Sequence, residues 1–199
     1  MLSAKAIVKL QDELSSRWHD EDRTEPALGD PWLEAVVRQH RANFDLWHIE
    51  DEARTPNASD AQIAEVKRAI DRTNQRRNDL AEELDRALLA WLRQRGLPAL
   101  DAQLNSESPG LIVDRLSILA LKIYHTREEV ERNDAPSRHK EQNGARLNIL
   151  VEQRSDLADC LDALWGDTLG GRRRFKLYRQ LKMYNDPELN PAIYGKNRN

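Results

Sequence analysis

The chain has 199 residues, about one domain by length, with 33% charged and 39% hydrophobic residues and a mean hydropathy of −0.79. Its 31 Lys and Arg stand against 34 Asp and Glu, a formal charge of −3, in a polar composition that still supplies one core. No apolar run approaches the ~20 residues of a membrane span, MLSAKAIVKL lacks a secretory apolar region, and a lone Cys160 excludes an internal disulfide or a cysteine-based zinc cluster, so the expected setting is the cytoplasm.

Glycine and proline collect at joints and leave segments 1–25, 32–55, 57–95, 111–135 and 145–165 free of both. Breakers confined to the joints, with no stretch of clean alternation, predict helices and no sheet. Asp30-Pro31 is a start signal for the second segment. Ser59-Asp60-Ala61-Gln62 reads as a capping box for the third, and Ser108-Pro109 starts the fourth. Residues 133–143, NDAPSRHKEQN, read as a polar loop before the fifth. The fold expected is all-α: an antiparallel bundle of about five helices over 1–170, followed at 171–199 by a basic helix and an extended strap docked on it, one domain overall.

Apolar residues recur at steps of three and four along each segment. The second seam is Leu33, Val37, His40, Phe44, Trp47, Asp51 and Arg54. The third is Ile63, Val66, Ile70, Thr73, Arg77, Leu80, Leu84, Ala87 and Trp91. The fourth runs Ile112, Leu116, Leu119, Ile123, Thr126, Val130, and the fifth Leu147, Leu150, Arg154, Leu157, Leu161, Leu164.

Polar residues interrupt these seams at Asp51, Arg54, Thr73, Arg77 and Arg154. A buried charge must be paired, so two readings follow. Asp51, Arg77 and Arg154 neutralise one another in a structural network, or they line a cleft for an anionic ligand; a third reading is that seam positions near helix ends are solvated. The ligand set for such a cleft is Asp51, Arg54, Asn74, Arg77, Asn78 and Arg154, closed by Arg179 and Lys182 from the tail, with arginines on a phosphate or carboxylate and asparagines on hydroxyls. Arg77 in particular should meet one of Asp51, Asp71 and Asp114.

His48, Glu50, Asp51 and His125 are the acid–base candidates. His48 and Glu50 point apart on a helix, whereas His48 and Asp51 share a face. That pair is too small a set for a metal, and no metal or cofactor is expected. Glu82-x-x-Asp85 is half of an acidic Mg²⁺ motif without its partner. No GxSxG, GxxxxGK[ST] or GxGxxG stands in the chain.

Residues 171–199 carry eight bases against Asp186 and Glu188, a net +6, while 1–170 carry −9. Phe175, Tyr178, Tyr184 and Tyr194 interleave with the bases. Nucleic-acid binding is one reading of such a stretch. Docking of a helix over 172–184 onto the acidic bundle through Phe175, Tyr178 and Leu181 is the better one.

LWHIEDEAR (46–54), VKRAIDRTNQRRND (66–79), SPGLIVDRLSILALKIYH (108–125) and FKLYRQLKMYNDPELNPAIY (175–194) resemble a bacterial family, domain of unknown function 4254. The resemblance implies an all-helical protein and no defined activity. Members of that family are often encoded beside glycosyltransferases of cell-surface polysaccharide assembly, so the resemblance points toward sugar or nucleotide-sugar chemistry. Asp114, Arg115, Lys122, Tyr184, Asn185 and Asp186 also lie in the matched blocks, although an acid at Asp114 equally suits a helix N-terminus. The function expected is therefore binding of a phosphate, nucleotide or nucleotide sugar, with catalysis left open. The alternative is a non-catalytic adaptor for a protein partner such as a glycosyltransferase.

Overall fold

In the computed structural model of the chain, residues 2–20, 24, 26–181 and 188–191 are described. Five helices form: α1 (Ala4–His19), α2 (Pro31–Glu52), α3 (Asp60–Arg93), α4 (Pro109–Glu131) and α5 (Ser137–Leu169). The structure is 72% helical, an all-α bundle. Two short strands, β1 (Gln103–Leu104) and β2 (Arg173–Arg174), add one parallel pair that the breaker pattern did not predict.

The start signals act as their chemistry demands. Asp30 accepts from the amides of Trp32 (2.9 Å) and Leu33 (3.3 Å). Ser59 and Gln62 close a reciprocal capping box on α3. Ser108 stands at the α4 N-cap but makes no side-chain cap bond. Its hydroxyl donates instead to Asp85 of α3, and the other Asp85 oxygen accepts the Gly110 amide at 2.7 Å. Asp85 thus serves as an inter-helix cap. Burial holds its pKa up at about 6, against the pull of these two donors.

Helix directions follow from the pairs across each interface. Arg38 meets Glu83 and Asp45 meets Arg76, so α2 and α3 run oppositely. Ala4 bonds Asp162 and Asp12 bonds Arg154, which sets α5 against α1. Gln11 reaches Val113, and Gln39 and Asn43 reach Asp114 and Ser117, so α1, α2 and α4 run the same way. Their three N-termini therefore lie at one end, each capped by a carboxylate: Asp162 on Ala4, Asp30 on Trp32 and Asp85 on Gly110.

One core cluster gathers Ile7, Val36, Leu84, Leu92, Val113, Leu116, Leu161 and Trp165. A second holds Leu14, Trp18, Val37, Phe44 and Leu121. Along α3 burial sets in at Leu80, whereas Ile63 near its start is 39% exposed. No residue in the first half of α3 is buried.

Two expectations need correction. Helix α5 begins at Ser137, so most of the stretch read as loop is helical, and Gly144 lies within the helix. Helix formers around it outweigh one glycine, which costs about 1 kcal/mol. Residues 175–181 form no helix. Phe175 is 2% exposed in the core, but Tyr178 and Leu181 are exposed, because backbone pairing at β1–β2 holds the chain extended as it leaves the bundle. Lys182 and Tyr184 lie outside the described residues, as does nearly all of the expected strap.

Gly110 sits where α4 crosses α3. A Cβ there would press on the Ala81 carbonyl oxygen and lie 2.9 Å from the Asp85 carboxylate. Gly110→Ala is expected to lower stability by about 1–3 kcal/mol or more. Gly144→Ala, whose Cβ meets nothing within 4 Å, should raise it by about 0.5–1 kcal/mol. Paired thermal melts check both signs.

Candidate functional site

Arg77 leaves α3 half-buried and is held by Asp114 of α4, Nε on Oδ1 at 2.7 Å and Nη2 on Oδ2. Of the three acids named for it, the partner is Asp114. The hydrogen bonds and charge of Asp114 hold the guanidinium firmly protonated, against the effect of burial. Asp114 Oδ1 also accepts from Gln39 Nε2 at 2.5 Å and Asn43 Nδ2 at 3.0 Å. Four donor contacts from two helices therefore satisfy one carboxylate. That meets the condition under which a buried charge is tolerated.

The network continues inward. Asn43 Nδ2 donates to Ser117 Oγ at 2.9 Å, and Ser117 lies 2.7 Å from His40 Nδ1. His40 Nε2 lies 3.1 Å from Ser15 Oγ, whose own proton goes to the Gln11 carbonyl at 2.8 Å. With that proton committed, Ser15 accepts from His40 Nε2–H. His40 Nδ1 is then the acceptor for the Ser117 hydroxyl. The imidazole is fully buried and neutral, its pKa pushed down to about 3 by desolvation.

Above Arg77 a groove of about 490 Å³ opens between α2, α3 and α4. Trp47, Glu50, Asp51, Arg54 and Arg77 line it over an apolar floor of Leu46, Ile118 and Leu121. Asp51 is exposed; the exposed Arg54 bonds the carbonyl and carboxylate of Glu50 one turn back. Both follow from position: the end of α2 lies past the buried run that finishes at Phe44. Arg77 Nη1 makes no bond to Asp114 and remains available to the groove.

The other ligand candidates go elsewhere. Arg154 bonds Asp12 at 2.6 Å across the α1–α5 interface, so the three-way network of Asp51, Arg77 and Arg154 does not form. Burial raises the Asp12 pKa even with Arg154 beside it. Asn74 and Asn78 are half-buried on α3 but do not line the groove. Arg179 is exposed on the tail, and Lys182 lies outside the described residues. Arg115 pairs with Glu107 at 2.8 Å.

His48 and His125 belong to an aromatic cluster behind the groove wall. Trp47 stacks on His125 at 4.7 Å, His19 stacks on Tyr124 at 4.2 Å, and His48 packs edge-on against Phe44. Desolvation lowers the His125 pKa, opposed by its 2.8 Å bond to Glu128. Among the described residues no group of three or more His, Cys, Asp or Glu is arranged to hold a metal ion.

Residues 33–177 match the family described as "Protein of unknown function (DUF4254)". The chain belongs to the DUF4254 family. No curated protein and no solved structure matches it. The DUF4254 segment contains Arg77, Asp114, the α2 polar residues and the groove, and ends two residues past buried Phe175. Helix α1, which brings Gln11, Ser15 and Asp12 to the interior pairs, precedes it. Gln11, Ser15, Gln39 and Ser117 had not been picked out from the sequence. The signal present was a histidine, His40, in the middle of an apolar seam, with Gln39 and Asn43 four apart beside it.

Neutral burial of His40 makes stability depend on pH. A base whose folded pKa lies below its unfolded value gives full stability above about pH 6.5, and stability falls as the pH drops from there toward 3. The expected slope from this group is about 1.4 kcal/mol per pH unit. Urea unfolding between pH 7 and 5 should show it, and His40→Gln should flatten the slope by that amount even if the variant is less stable throughout.

Proposed function

We propose that this DUF4254 protein binds a small polyhydroxylated ligand carrying an anionic group, of which a nucleotide sugar is the representative class, in the groove over Arg77. The observation that carries the reading is the Arg77–Asp114 pair. It fixes a guanidinium edge at the base of a groove walled by Trp47, with Asp51 at the mouth. An aromatic face beside fixed planar polar groups suits a sugar ring with its hydroxyls, and the guanidinium suits a phosphate oxygen.

Charge balance refines the ligand. Arg54 stands against Glu50, and Arg77 against Asp114, which leaves Asp51 in excess. A bare polyanion gains little from such a groove. A ligand that offers hydroxyl donors to Asp51 and Glu50 as well as an anion to Arg77 uses every group present. Glycosyltransferase association, implied by the family resemblance, is consistent with that class. His48 and His125 sit behind Trp47, so the reading is one of binding.

A protein partner is the competing reading. Ile149 and Val151, 54% and 41% exposed on α5, favour it. UDP-glucose and related nucleotide sugars should raise the melting temperature of the wild-type protein. Asp51→Asn, at an exposed position, and Arg77→Lys, which keeps the charge but not the fork, should each remove most of that rise. A panel of nucleotide sugars and sugar phosphates that leaves the melting temperature unchanged, or a rise that survives both substitutions, refutes the ligand reading.

A further inference from the structure

We infer that a second cavity, toward the opposite end of α2 from the groove, binds a small organic cation with an apolar body, such as a quaternary ammonium compound. The cavity holds about 480 Å³ between the first turns of α2 and the second half of α3, and is closed by Leu2 and by Trp165 of α5. That volume falls within the range of small-molecule sites. None of its lining residues belongs to the groove over Arg77, so this inference stands independently of the proposed function.

Two features define the ligand. The first is aromatic: Trp32, Trp91 and Trp165, three of the five tryptophans, line the cavity. Trp91 and Trp165 form one wall, their rings 5.6 Å apart and tilted by 41°. Arg95 covers one face of Trp91, its guanidinium 3.6 Å from the ring centre, and is not among the residues that line the cavity. Indole faces attract cations most strongly where water is excluded.

The second feature is charge. Asp30, Glu34 and Glu83 line the cavity against a single guanidinium, Arg38, which is tied to Glu83 at 2.6 Å. The acids are fixed in place: Asp30 by the α2 amides, and Glu34 by the Gly29 amide at 3.2 Å. An anion is repelled here, and a hydrated metal ion gains nothing from the indoles. A compact cation whose charge is wrapped in methyl or methylene groups satisfies both the aromatic wall and the carboxylates.

The test follows the five indole N–H resonances of the ¹⁵N-labelled protein during titration with choline chloride, with sodium chloride as the ionic-strength control. Saturable shifts are expected for Trp32, Trp91 and Trp165 and not for Trp18 or Trp47. The neutral isostere 3,3-dimethyl-1-butanol should bind at least about tenfold more weakly. Glu34→Gln, at a partly exposed site, should weaken choline severalfold with an unchanged melting temperature, and Trp91→Leu should abolish binding. No response to choline, equal binding of the isostere, or shifts centred on Trp18 and Trp47 would each overturn the assignment. Should Trp91→Leu fail to fold, the isostere ratio and Glu34→Gln still decide.

Discussion

A single buried carboxylate joins three of the five helices. Asp114 belongs to α4, takes its counter-charge from Arg77 on α3, and takes two amide donors from Gln39 and Asn43 on α2. Apolar packing alone tolerates sliding of one helix along another, since leucines and valines interchange partners at small cost. A carboxylate with four fixed donors does not. Moving α3 or α4 by a turn would strand a buried charge, at a cost of several kcal/mol, and moving α2 would strip the carboxylate of two of its donors. The register of α2, α3 and α4 is thereby set, and the groove geometry with it, because Trp47 and Asp51 stand one and two turns beyond Asn43.

Asp85 performs a related task eight residues further along α3. It turns the start of α4 onto α3 by holding the Ser108 hydroxyl and the Gly110 amide. Two acids, Asp85 and Asp114, thus bind the same pair of helices at two heights. Gly110 permits the close approach that brings Asp85 to the α4 amides. The groove lies on the Arg77 side of this contact, away from Asp85.

Helix ends were legible in the sequence wherever a cap depends on residues close together in the chain. Asp30-Pro31 and Ser59 with Gln62 are such cases. Ser108 kept its position but not its bond, because the stronger acceptor came from another helix, which no local pattern encodes. Arg77 was legible as an inward-facing charge, since its place on a seam demanded a partner. The network around His40 was not: four polar side chains on three helices become compatible only once packed. Arg154 shows the converse. Its place on a seam also demanded a partner, but its acid came from α1, outside the set weighed for it. In the tail, amphipathic spacing suggested a helix, yet pairing of Arg173 and Arg174 with β1 fixed an extended backbone first.

The shared direction of α1, α2 and α4 divides the molecule into two ends with different chemistry. At one end three helix N-termini are held by carboxylates, from Asp162, Asp30 and Asp85. At the other, α3 starts on a serine–glutamine box and α5 starts at Pro136 without a side-chain cap. A carboxylate brings a charge-assisted bond to a helix start, whereas a serine–glutamine box brings neutral ones. The carboxylate caps are therefore gathered at one pole, where each adds negative charge to the positive end of a helix dipole, while the starts of α3 and α5 carry a neutral box or no side-chain cap.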